Sequence, residues 1–312
     1  MTRTRYLVVV AAVMLFSLAI GIALGGGPLQ GDLARAIDEP ESSGEGPSSE
    51  EVALRESAEF DDQFVAALSD DVLAGTMSDR RVLLVALPGA DEDTVAGVTE
   101  QVEAAGGMLS TTLWVDEELI DPTAKVLVRT LSSRLAKEDL PDFEIPKDTP
   151  VYEQVGTVLS RALLHNKNGG VALDDPARSV FQSFATAELV RGREPATRAD
   201  SVVVIAPESA GGSQTATAQG TIVSALLTRM RAASNGVVLA GPRGSAGQGG
   251  LVAAVRSYGE AAESVSTVDT VDRRSGQIVA VLALAEQAAD GVGHYGMGAD
   301  ADSAVPGSLT GD

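Results

Sequence analysis

Residues 81–89 read RVLLVALPG. Six apolar residues run in succession from Val82 to Leu87, and Pro88-Gly89 ends them sharply. A strand with no polar side is buried on both faces, and such strands belong to parallel sheets covered by helices. The same pattern recurs on either side. Asp91-Glu92-Asp93 opens a helix to about Ala105, its carboxylates suited to the positive end of the helix dipole, and Gly106-Gly107 closes it. Met108 to Val115 reads as a second strand and Pro122 to Leu135 as a helix. Residues 139–150 hold three prolines and mark a break, a candidate boundary between two sub-lobes. Helices are expected over Val151–Leu164 and Pro176–Val190.

A second series follows. Ser201 to Ala206 is a strand, Thr215 to Ala233 a helix, Val237 to Ala240 a strand and Gly249 to Tyr258 a helix. Ser264 to Val268 reads as a short strand, and Gln277 to Leu284 as an apolar strand running into a short helix. Strands alternating with helices predict an α/β fold, a mainly parallel sheet with helices on both faces.

Upstream, Ser49 to Leu73 carries a helical pattern, with a capping box at Ser48 and Glu51. Phe60, Phe64, Leu68 and Val72 form a candidate face for a partner helix. Residues 37–50, IDEPESSGEGPSSE, hold five acidic and no basic residues and read as a flexible spacer. Before it lies Tyr6–Leu24, YLVVVAAVMLFSLAIGIAL, 19 residues without a charge. As a helix this run spans roughly 28 Å, close to the thickness of a bilayer core. Arg3 and Arg5 precede it and favour a cytoplasmic N-terminus. The competing reading is a cleaved signal peptide, with Ala23 and Gly25 at the cleavage site, although the run exceeds a usual signal core. Ser17, Gly21 and Gly25 recur every four residues, a spacing that lets membrane helices pack closely as oligomers. The expected organisation is a stub and anchor over 1–28, an acidic linker over 29–48, and a helix over 49–78 able to form a short coiled coil. An extracytoplasmic α/β domain over 79–298 and an unstructured tail over 299–312 complete it.

With 23 basic and 44 acidic side chains the net charge is −21, which argues against nucleic acid and anionic lipid surfaces as partners. There is no cysteine, hence no disulfide, thiolate metal site or cysteine nucleophile. Neither GxSxG nor HExxH occurs, and pairs such as Asp61-Asp62 and Asp70-Asp71 sit on the polar side of a helix, so the chain does not read as an enzyme.

Two glycine-rich stretches invite a functional reading. AGPRGSAGQGG at 240–250 joins a strand to a helix, and Gly241, Arg243, Gly244 and Ser245 are candidates for an anion-binding loop. It lacks the phosphate-loop and dinucleotide patterns, and its plainer reading is a surface loop. GVGHYGMG at 291–298 offers His294 and Met297, imidazole and thioether, as candidate copper ligands. Two donors from one loop fall short of a closed site unless two chains each contribute. The plainer reading is a tight turn.

Together these pieces resemble a known family. The residues that carry the likeness are LAIGIALGGG at 18–27, EFDDQFVAALSDDVLAGTMSDRRVLLVALPGADEDTVAGV at 59–98, VVLAGPRGSAG at 237–247 and STVDTVDRRSGQIVAVLALAEQAADGVGHYGMG at 266–298. They are similar to the mycobacterial copper transport protein B family of actinobacteria, over nearly the whole chain. The resemblance implies an envelope protein with one N-terminal membrane segment and a role in copper efflux, often as an outer-membrane channel. Related corynebacterial proteins are tied instead to cell division and daughter-cell separation, with a partner membrane protein. Family members carry a charged coiled-coil-like helix directly after the membrane segment; here Pro40, Gly44, Gly46 and Pro47 interrupt it. A single helix cannot enclose a pore, so a channel requires a homo-oligomer. Copper transport is therefore the first expectation. The alternative is a membrane-tethered, non-enzymatic scaffold that binds another envelope protein.

Overall fold

The computed structural model describes residues 48–140, 145–146, 148–165, 171–209 and 213–307. The expected membrane segment with Ser17, Gly21 and Gly25, nearly all of the acidic linker and residues 308–312 lie outside the described residues. Among the described residues no helix is long and apolar enough to cross a membrane.

Helix α1, Ser49–Leu73, comes first. Residues 61–306 form one compact unit, which takes in α1 from Asp61 onward. That unit is built on a seven-stranded sheet in the order β3-β2-β1-β4-β5-β6-β7. The strands are β1 Arg81–Ala86, β2 Met108–Val115, β3 Val190–Gly192, β4 Ser201–Ile205, β5 Gly236–Ala240, β6 Ser266–Val268 and β7 His294–Tyr295. All neighbours are parallel except β2 and β3. The helices between them are α2 Glu92–Ala104, α3 Glu117–Ile120, α4 Lys125–Glu138, α5 Val151–Leu163, α6 Asp175–Thr186, α7 Ser213–Ala232, α8 Leu251–Ser257, α9 Gly259–Ser264 and α10 Arg274–Gln287.

Alternation along the strands divides the core. Leu83, Val85, Val202, Val204, Val237 and Leu239 share one buried cluster with side chains of α3 to α9. The intervening Val82, Leu84, Val203 and Val238 are also fully buried and point the other way, where α2 and α10 pack on the strands and on each other. The expectation of a mainly parallel sheet with helices on both faces is met. The lobe boundary near 139–150 is not: α4 and α5, on either side of it, contribute Val128, Leu135, Val155 and Leu159 to the same cluster.

Local chemistry fixes the ends of α2. Asp91 caps it by accepting the Thr94 N–H at 2.7 Å, and Gly106 leaves it with φ +83° while Gly107 N–H donates to the Val102 carbonyl. Three expectations are corrected. Gln277–Leu284 is not a strand but the middle of α10, whose Ile278 to Leu284 are all buried. A helix pressed between a sheet and another helix has no polar stripe, so its sequence loses the helical period. The segment expected as helix to Val190 stops at Thr186; Glu188, at φ +54°, turns the chain into the edge strand β3. The tail expected from Ala299 is structured to Pro306: Ser303 forms a bridge with Tyr295, and the Asp302 N–H donates to the His294 carbonyl at 2.7 Å.

The β6-α10-β7 crossover has an unusual sense. It moves along the sheet in the same direction as β4-α7-β5, yet its helix lies on the opposite face. Its hand is therefore opposite to that of β4-α7-β5 and β1-α2-β2, against a strong preference for one hand.

Candidate functional site

In open α/β sheets ligands favour the crevice beyond the strand ends where the chain reverses direction across the sheet. Here that point lies between β1 and β4. It is filled by its own loops: Gly89, at φ +81°, packs against Pro207, and a Cβ there would sit 3.3 Å from the Pro207 Cβ. An apolar cavity of ≈ 20 Å³ beneath it, lined by residues such as Val85, Leu113, Leu159 and Leu227, has room for about one water-sized body.

The chemistry gathers instead at the far edge, where the loops after β5, β6 and β7 meet. The Gly241 N–H donates to the Val268 carbonyl at 2.8 Å, and the Val271 N–H returns to Gly241 at 3.1 Å. Asp269, fully buried, is the hub. Its carboxylate accepts the Met297 N–H at 2.7 Å, the Gly298 N–H at 3.0 Å and Arg256 Nη1 at 2.9 Å. Arg256 on α8 uses its whole fork: Nε donates to Thr267 Oγ1 at 2.8 Å and Nη2 to the Tyr295 carbonyl at 3.0 Å. A buried ion pair is tolerated when its remaining donors and acceptors are satisfied, as these are.

The last two of the four glycines in GVGHYGMG follow from this hub. At Gly296 (φ +131°) a side chain would overlap the Asp269 carboxylate, and at Gly298 a Cβ would lie 2.8 Å from Oδ2. The stretch wraps a carboxylate.

His294 is half-buried on β7, its Nδ1 3.0 Å from Thr267 Oγ1. That hydroxyl accepts from Arg256 Nε, and it meets Nδ1 with its own proton in one imidazole tautomer and with its second lone pair in the other. Burial and the nearby Arg256 push the imidazole below its ordinary value, outweighing the opposing pull of Asp302 and a hydrogen bond with the Ala262 backbone. The adjacent Tyr295 hydroxyl donates to Glu286, and burial together with that carboxylate pushes its pKa far upward. His294 Nδ1 is therefore engaged within the protein. Met297 sits on the same turn but is exposed, and its main chain, not its thioether, holds the turn. Among the described residues no three His, Asp or Glu side chains are grouped to hold a metal ion.

The loop at 240–250 is likewise self-contained. Ser245 Oγ donates to the Pro242 carbonyl at 2.6 Å, and the amides of Gly241, Ser245, Gly247 and Gly250 all donate to main-chain carbonyls. Gly244 lies against Glu208, an unfavourable neighbour for an anion, while Arg243 is exposed. The candidate partner face on α1 divides. Phe60 and Phe64 are exposed, whereas Leu68 and Val72 are half-buried. Each step of four residues overshoots a helical turn by about 40°, so three steps rotate the stripe by about 120°. Sequence reading missed Asp269, Arg256 and Thr267. The signal available was the TVDTVD repeat, whose first aspartate is the hub.

Comparison with known proteins gives these loops a context. Residues 1–306 match the family described as copper transport outer membrane protein, MctB. The protein named copper transporter MctB of Mycobacterium leprae (strain TN) is 30% identical over 259 residues, 78% of this chain and 77% of its own length. The proteins of that name from Mycobacterium bovis and Mycobacterium tuberculosis H37Rv are each 27% identical over 308 residues, 94% of this chain and 95% of theirs. The match spans every loop of the Asp269 hub, and the chain belongs to the MctB family of copper transport proteins.

Proposed function

We propose that this chain serves copper efflux from the actinobacterial envelope, tethered to a membrane through residues 6–24 with its α/β body on the extracytoplasmic side. The family match over residues 1–306 carries this reading. Copper is the cargo here. Met297 offers one exposed thioether, a donor suited to Cu(I), and since no three His, Asp or Glu side chains group among the described residues, the remaining donors come from a second copy or a partner protein. Passage through a membrane by this route requires several anchors, because one helix encloses no pore. The test is deletion of the gene in its host. Loss of copper tolerance with raised cellular copper, both restored by the intact chain, is the expected result. Unchanged tolerance and copper content overturn the reading.

A second reading, a tethered scaffold for another envelope protein, is supported by α1, where Val52, Leu54, Phe60 and Phe64 are all exposed. It predicts that deletion impairs cell separation and leaves copper tolerance intact.

A further inference from the structure

Independently of the copper reading, we infer that Met297 is a reversible oxidation site, the one among the described methionines at which peroxides mark this protein without unfolding it. Four methionines fall among the described residues. Met77 and Met230 are buried at 1% and 6% exposure, Met108 at the start of β2 is 44% exposed, and Met297 is 62% exposed. Thioether oxidation follows exposure. What sets Met297 apart from Met108 is how its segment is held. Met108 opens β2, a strand registered against β1 along most of its length and increasingly buried toward Val115. The Met297 turn is fixed by two main-chain amides on the buried Asp269 carboxylate and by glycines whose missing side chains admit that carboxylate. None of that hold passes through sulfur.

In the step, the peroxide O–O bond breaks and an S–O bond forms. Sulfur loses two electrons to become the sulfoxide, and the peroxide is reduced to water, or to the alcohol when it is an alkyl hydroperoxide. The product places a polar oxygen on the outermost side chain of the turn, and thiol-driven sulfoxide reductases remove it. The mark therefore changes the surface beside the β5–β7 loops while the fold beneath stays fixed.

The experiment treats the purified full chain, in detergent, with hydrogen peroxide and follows each methionine by peptide mass mapping. Met297 gains oxygen first, about tenfold faster than Met77 and Met230 and ahead of Met108. The oxidised protein keeps its melting temperature, and methionine sulfoxide reductase reverses the modification. Met297→Leu loses the fast product and melts as the wild type does. The inference is overturned if Met108 reacts first or if Met297 is as protected as Met230. It is also overturned if oxidation lowers the melting temperature of the wild type but not of Met297→Leu, which would mean that the turn depends on the sulfur.

Discussion

Arg256 and Asp269, 13 residues apart, meet in an ion pair of 2.9 Å with side chains only 3% and 0% exposed. Removing one member strands a charge in the interior. Asp269→Ala is expected to cost about 3–5 kcal/mol, measured by urea denaturation. Replacing both Arg256 and Asp269 by apolar residues costs less than the sum of the two single changes, which a double-mutant cycle reads directly.

Glycine substitutions separate close approach from composition. Gly296→Ala forces a Cβ into the Asp269 carboxylate at a strained φ of +131° and is expected to cost about 1–3 kcal/mol, with faster proteolysis of the 296–303 segment. Gly259→Ala, where nothing lies within 4 Å of the added carbon, is expected to be neutral or to stabilise by about 0.4–1 kcal/mol. Equal losses at both positions would contradict the account of the turn.

The imidazole of His294 titrates below its ordinary value of 6.5 because the fold buries it and sets Arg256 nearby. A group depressed in this way binds fewer protons folded than unfolded. Its contribution to stability is therefore present above pH 6.5 and is lost as pH falls through the folded value. Proton NMR should show the His294 imidazole titrating low. The acid-side slope of stability against pH should flatten in His294→Gln.

Helix α1 is buried at Leu73 and exposed at Phe60. Leu73 is fully buried, and Leu73→Ala is expected to cost about 2–5 kcal/mol. Phe60→Ala, at a side chain 67% exposed, should stay within about 0.5 kcal/mol. Thermal unfolding of the two variants checks the assignment.

The elements that could be read in advance were those whose burial is complete and regular. β1, β4 and β5 are continuous apolar runs because both sheet faces are covered, and α2 declares its ends through Asp91 and Gly106. β3 and β7, three and two residues long, are too short to show a period, and α10 hides its period by being buried all round. The site was half legible. Its glycines stood out, but their meaning rests on bonds across 28 residues, from Met297 to Asp269. Read locally, a histidine and a methionine among glycines suggest a metal loop. The fold sets the histidine beside Thr267 and uses Gly296 and Gly298 to make way for a carboxylate.

The brief β7 and the return of Ser303 onto Tyr295 also matter for how the protein is made. They are made after β6, and until they arrive the edge of β6 presents unpaired main-chain groups. An open strand edge recruits other strands. The final residues of the body thus act as a selvedge, and a chain truncated before them, or stalled while being synthesised, is the form most prone to aggregate.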